Sequence, residues 1–137
     1  MDTISRERRS ENMRRIRGKN TKPELIVRRE LFRMGFRYRL HGTKLPGKPD
    51  VVFPKQRKAI FIHGCFWHNH SYKHCKIARL PKTNSGYWAE KLSRNVERDM
   101  ARRAELRRLG WKVLVVWECQ SKSIETHLGR IRRFLQE

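Results

Sequence analysis

The chain has 137 residues, enough for one ordinary hydrophobic core and too few for two, so its motifs are expected to serve a single fold. Lysine and arginine number 34 against 13 acidic residues, a formal charge of +21. This far exceeds the roughly 2–8 charges that solubility asks of a small domain and implies a polyanionic partner, nucleic acid before membrane. No stretch approaches transmembrane length, and Met1–Arg6 lacks the apolar core of a secretory leader, so an intracellular, cytoplasmic and nucleoid-associated protein is expected. Three cysteines cannot all pair internally, which argues against a secreted disulfide scaffold.

In chain order, residues 4–17 read as a basic arm with helical spacing of Met13 and Ile16, closed by Gly18-Lys19-Asn20. The arm, residues 1–20, belongs to a single domain spanning 1–137. Thr21-Lys22-Pro23-Glu24 has capping-box spacing, and Val27, Leu31 and Met34 continue a helix that Gly35 should end. Phe36, Tyr38 and Leu40 alternate with arginines as in a half-buried strand. Residues 50–53 and 58–63 form an apolar hairpin about Lys55-Gln56, a register that sets Asp50 opposite roughly position 61. Residues 64–84 read as loop, and Ser85 is the expected cap of a long helix from Gly86 to Leu109 in which Trp88, Leu92 and Asn95 share a face. Trp111–Trp117 is apolar enough for a central strand covered on both faces, and Ile124, Leu128, Ile131 and Leu135 mark a last amphipathic helix. The order predicts an α/β fold with a mixed sheet flanked by helices.

Two groups of residues carry chemistry. Cys65, His70 and Cys75 are five apart, and Cys119 lies just past the last strand; three thiolates and an imidazole are the closed tetrahedral set of a structural zinc, with His74 competing with His70 as fourth ligand. The alternative is a set of idle core thiols. The second group is hydrolytic. Cleaving a phosphodiester needs a carboxylate-held divalent cation and a base to activate water. Asp50 begins its strand after the rigid Leu45-Pro46-Gly47-Lys48-Pro49, and the hairpin brings it near His63 and the carbonyl of Ile62. His68, beside Trp67, is the natural base, imidazole being the side chain suited to proton transfer near neutrality. Glu24 either adds a carboxylate through water or only completes the capping box. Phe66-Trp67 and Trp88 are large aromatics where loops meet solvent, suited to wedging between bases.

Leu45–Asp50, Phe61–His68, Trp88, Asn95–Asp99 and Gly110–Cys119 together resemble the very-short-patch-repair (Vsr) DNA mismatch endonucleases over roughly residues 9–120. The resemblance implies a PD-(D/E)XK restriction-endonuclease-like fold in which Asp50 and the Ile62 carbonyl bind magnesium. His63 takes the place of the usual lysine, His68 is the general base, and Glu24 and Asp99 hold water around the metal. It assigns Cys65, His70, Cys75 and Cys119 to zinc, and Phe66, Trp67 and Trp88 to intercalation from the major groove. Met13 and Ile16 enter from the minor groove, and Lys91 and Asn95 join the DNA-contacting set. The implied activity is nicking, by a monomer, of double-stranded DNA 5′ to the T of a T:G mismatch left by deamination of 5-methylcytosine, with a functional link to a cytosine-5 DNA methyltransferase. The rival readings are a restriction-type or structure-specific nuclease of the same fold, and a zinc-stabilised DNA-binding module without catalysis.

Overall fold

The structure is a computed structural model, and residues 20–68, 70, 75, 78 and 81–137 are described. Helix α1 (Lys22–Arg33) starts at Thr21, whose side chain makes no capping bond. Instead Glu24 reaches back one residue further and accepts the Asn20 N–H at 3.1 Å, so only the acidic half of the expected box forms, displaced by one position. Val27 and Leu31 are fully buried, and the helix gives way to Gly35 at φ +92°, a conformation glycine adopts without strain.

Strands β1 (Arg39–Leu40), β2 (Val51–Phe53) and β3 (Lys58–His63) pair antiparallel in sequence order. The predicted strand at Phe36–Leu40 shrinks to its last two residues: the Phe36 N–H is taken by the Leu31 carbonyl at the end of α1, at 3.0 Å, while the Phe36 and Tyr38 side chains still pack against the core. The hairpin has the expected register: Val51 faces Ile60 and Phe53 faces Lys58, so continuing the count sets Asp50 against Phe61. Helix α2 (Ser85–Arg108) follows, with Asn84, not Ser85, at the cap position in a left-handed conformation that asparagine tolerates. It crosses over to β4 (Lys112–Trp117), which pairs parallel with β3, Ile62 opposite Val116 and His63 opposite Trp117. The chain continues through a short α3 (Glu118–Ser121), a 3-10 turn (Ile124–His127) and α4 (Leu128–Gln136).

The sheet order is β1-β2-β3-β4, which places β4 at its end rather than its centre. All six residues of β3 are buried, whereas β4 is mostly half-buried. An apolar run reports that a strand's faces are covered and says nothing about whether both edges are paired, which is why the sequence misplaced β4. One face of the sheet packs Ile60, Ile62 and Val116 against Val27 and Leu31 of α1 and Ile131 and Leu135 of α4. By strand alternation Phe61 and His63 point to the other face, where they meet α2. Buried Lys58 donates to the Leu135 carbonyl at 3.0 Å, placing a cation on the last turn of α4. Among the described residues no helix is long and apolar enough to cross a membrane.

Candidate functional site

The site gathers where β3 ends, because the hairpin delivers Asp50 to that end and the parallel partner β4 finishes beside it. Asp50 is pinned through its backbone, its N–H donating to the Ile60 carbonyl at 3.2 Å and its carbonyl accepting the His41 N–H at 2.9 Å. Its carboxylate accepts the Ile62 N–H at 2.7 Å. Burial pushes its pKa up to about 7; the Ile62 hydrogen bond opposes the shift and the nearby Glu24 carboxylate adds to it. A hard, partly buried carboxylate that ionises reluctantly is suited to a divalent cation, which would supply the missing counter-charge.

His63 and His68 stack face to face, ring centroids 3.9 Å apart and 6° from parallel. Burial, and then the neighbouring His68, pull His63 down to about 3, so its ring is neutral at ordinary pH, and its Nδ1 is buried without a hydrogen-bond partner among the described residues. His68 Nδ1 lies 2.5 Å from Asp99 Oδ2. Burial alone would raise Asp99, but the His68 bond and charge bring it below the usual carboxylate range. An ionised carboxylate can only accept, so it holds the Nδ1–H tautomer and leaves the lone pair of a neutral His68 on Nε2. Asp50, His63, His68 and Asp99 line one hollow, reached through the carboxyl end of β3 and one face of α2.

Glu24 is expected either to add a carboxylate through water or only to complete the capping box. It is buried, 2.6 Å from Arg28 Nη2 and 3.6 Å from His41 Nε2, and so is held mainly by the guanidinium of its own helix, with the imidazole of the loop after β1 beside it. Glu24 also lines a larger cavity of about 750 Å³ together with Ile62, Trp67, His68, Lys91 and Asn95.

Phe66, Trp67 and Trp88 pack on one another at centroid distances of 5.1–6.1 Å, half-buried rather than sunk in the core. Lys91 Nζ sits within 5.8 Å of both indole rings, and Asn95 Nδ2 donates to the Trp67 carbonyl at 3.0 Å, fixing the loop tip to α2. Met13, Ile16 and His74 lie outside the described residues.

The ligand atoms of Cys65, His70, Cys75 and Cys119 all lie within 4.8 Å of one another. Tetrahedral zinc–sulfur bonds of about 2.3 Å put ligands roughly 3.8 Å apart, so the four can close on one ion with small adjustments. Cys119 Sγ is 3.5 Å from His70 Nδ1, and the Cys119 N–H points to Cys65 Sγ at 3.3 Å. Burial pushes the Cys65 and Cys119 thiols up, with Cys75 adding to the shift, so a cation is what would let the cluster ionise. His70 stacks on Trp117 at 4.1 Å, linking this cluster to β4.

Sequence reasoning passed over Glu118. Its Oε1 accepts the Cys65 N–H at 3.3 Å and it lines the large cavity beside Ile62 and His68, so it joins the thiol cluster to the histidines. The signal was its position: the first residue after β4, the parallel partner of the strand ending in His63. Arg28 was also missed, although its spacing four residues after Glu24 was visible.

A sequence profile of the family described as DNA mismatch endonuclease Vsr matches residues 1–74. The type II nicking enzyme V.XorIIP of Xanthomonas oryzae pv. oryzae is 45% identical over 134 residues, 98% of this chain and 96% of the relative. The type II nicking enzyme V.NmeAIP of Neisseria meningitidis is 43% identical over 136 residues, 99% of this chain and 95% of the relative. The DNA mismatch endonuclease Vsr of Escherichia coli is 41% identical over 124 residues, 90% of this chain and 78% of the relative.

Proposed function

Since the chain belongs to the Vsr family of DNA-nicking mismatch endonucleases, we propose that it cuts one strand of duplex DNA 5′ to the T of a T:G mismatch. The observation that carries this reading is the contiguity of two devices at His68, which lines both: the Asp50–His63–His68–Asp99 array, and a cavity bounded by Trp67, Lys91 and Asn95. A wobble pair stacks poorly, so the aromatics would enter that step at less cost than a matched one. His68, oriented by Asp99, would take a proton from the attacking water at Nε2. Neutral His63 would donate to the phosphoryl group without bringing a second full charge into the hollow. Asp50 with the Ile62 carbonyl would hold magnesium, which supplies counter-charge to the phosphoryl oxygens. Cys65, His70, Cys75 and Cys119 would hold zinc. Glu24 would act chiefly by setting the charge around Asp50, and a single array accounts for cutting one strand.

The mixed α/β sheet would be that of a restriction-endonuclease-like fold, the working unit would be a monomer, and 5-methylcytosine deamination, hence a cytosine-5 methyltransferase, would supply the mismatch. The test is incubation with Mg²⁺ and end-labelled duplexes carrying T:G, C:G or T:A at one position. Wild type should nick only the first. Asp50→Asn should not nick yet bind at least as tightly, and His68→Ala should nick about 10²–10⁴-fold more slowly. Trp67→Ala should bind T:G and matched duplexes alike. Equal nicking of all duplexes by wild type would refute mismatch specificity.

A further inference from the structure

The loop that leads into Asp50 is held in an unusual conformation. Gly47 and Lys48 have φ of +75° and +51°, and a lysine in that region is uncommon and is retained only where its surroundings enforce it. The surroundings are visible at Gly47, where a Cβ would stand 3.0 Å from Arg102 Cβ and 3.1 Å from Phe61 Cε1. The loop is thus pressed against α2 at Arg102, and the turn brings Lys48 to the wall of two adjoining hollows. The inner one, about 100 Å³, contains Asp50, His63, His68 and Asp99 and is rimmed by Lys48, Arg102 and Arg103. The outer one, about 490 Å³, shares Lys48, Asp99 and Arg102 with it and runs on to Arg98. Arg102 lies four residues after Arg98 and three after Asp99, and Arg103 four after Asp99, so one face of α2 supplies the wall opposite the loop. Its only carboxylate, Asp99, is engaged by His68.

We propose that this channel, formed by Lys48, Arg98, Arg102 and Arg103, binds the phosphodiester next to the scissile one on the strand being cut. The proposal rests on the nuclease reading above and adds to it the path of the DNA backbone. Among the described residues Arg98 and Arg102 have hydrogen-bond partners only on their own helix, Asn95 at 2.8 Å and Glu105 at 3.5 Å, both contacts exposed. Such exposed contacts are weak and exchange readily for a phosphate, which takes up a guanidinium fork better than a solvated neighbour does. The channel and the aromatic cavity adjoin: His68 lines both the inner hollow and the cavity, and Arg98 both the outer hollow and the cavity. A backbone channel that borders a cavity for bases is the arrangement a strand needs for its phosphorus to meet the base while its neighbouring step is wedged.

The test uses the full chain, T:G duplexes in which one phosphate at a time beside the nick is replaced by neutral methylphosphonate, and the variants Lys48→Gln, Arg102→Gln and their combination. Arg133→Gln, on α4, is the control. Wild type should lose about tenfold or more in affinity at one neighbouring phosphate of the nicked strand. The combined variant should bind the fully charged duplex correspondingly more weakly and lose little more at that position. Its salt dependence should become shallower by about one unit of slope per cation removed, with the control unchanged. Retention of the wild-type loss at every neutral phosphate, or an unchanged salt slope in the combined variant, would overturn the proposal. A wild type that nicks none of the duplexes would instead overturn the nuclease reading, while the binding measurements still decide the channel.

Discussion

Asp50 and His63 occupy one hollow and respond to pH in opposite directions. Asp50 is moved from 3.8 up to about 7 and His63 from 6.5 down to about 3, burial being the main cause for both. Between those ordinary values the folded protein keeps a proton on Asp50 and none on His63, while the unfolded chain does the reverse. The pair therefore binds one proton in either state, and its two contributions to the pH dependence of stability cancel. Asp50→Asn breaks the balance. A raised folded pKa means that Asp50 favours folding below 3.8 and that this advantage is lost as pH rises through 7. The variant, without divalent ions, should match wild type near pH 4 and exceed it above pH 7, by on the order of 1–4 kcal/mol. Urea midpoints at the two pH values measure this, and a difference that does not change with pH would remove burial of the Asp50 charge as its cause. Asp50 is also where the sequence was most legible, because counting across a short hairpin needs only the turn position. The partnership of His68 with Asp99, 31 residues apart, was not read from the sequence, since no local spacing encodes it and the resemblance placed Asp99 only in the water around the metal.

β3 and β4 run parallel and end side by side, so the residues that follow each strand, Cys65 after one and Cys119 after the other, are brought together without either loop having to be long. A metal there would tie the two exits, and Glu118 adds a hydrogen bond across the same gap. Protein purified without added zinc should therefore carry about one equivalent, and Cys119→Ser should lower both zinc content and melting temperature. A folded wild-type sample without zinc would show that the thiols are only packed. The elements themselves were legible wherever periodicity was long, as in α2 and α4. They were misread where a neighbour decides the outcome: Thr21 gave way as a capping group to Glu24, and β4 took the end of the sheet although its composition suits the middle.

The net charge of +21 acts on the molecule as a whole, and the sequence announced the class of partner without saying where on the surface it would lie. That distribution needs α2, whose face at Arg98, Arg102 and Arg103 meets a loop more than fifty residues away in sequence. DNA affinity should fall steeply between low and physiological salt as displaced counterions lose their entropic advantage, measured by equilibrium titration. A flat response would mean that the charge serves no backbone contact. The same parallel pairing that gathers the site also sets the order of its assembly during synthesis. A nascent chain that has emerged as far as α2 already holds Asp50, His63, His68 and Asp99, but β3 has no β4 to lie against, and Glu118 and Cys119 have not been made. Contacts spanning more than fifty residues must close before His63 is buried against Trp117 and the loop after it is fixed. Synthesis thus leaves the candidate site unfinished until β4 and the residues that follow it have emerged.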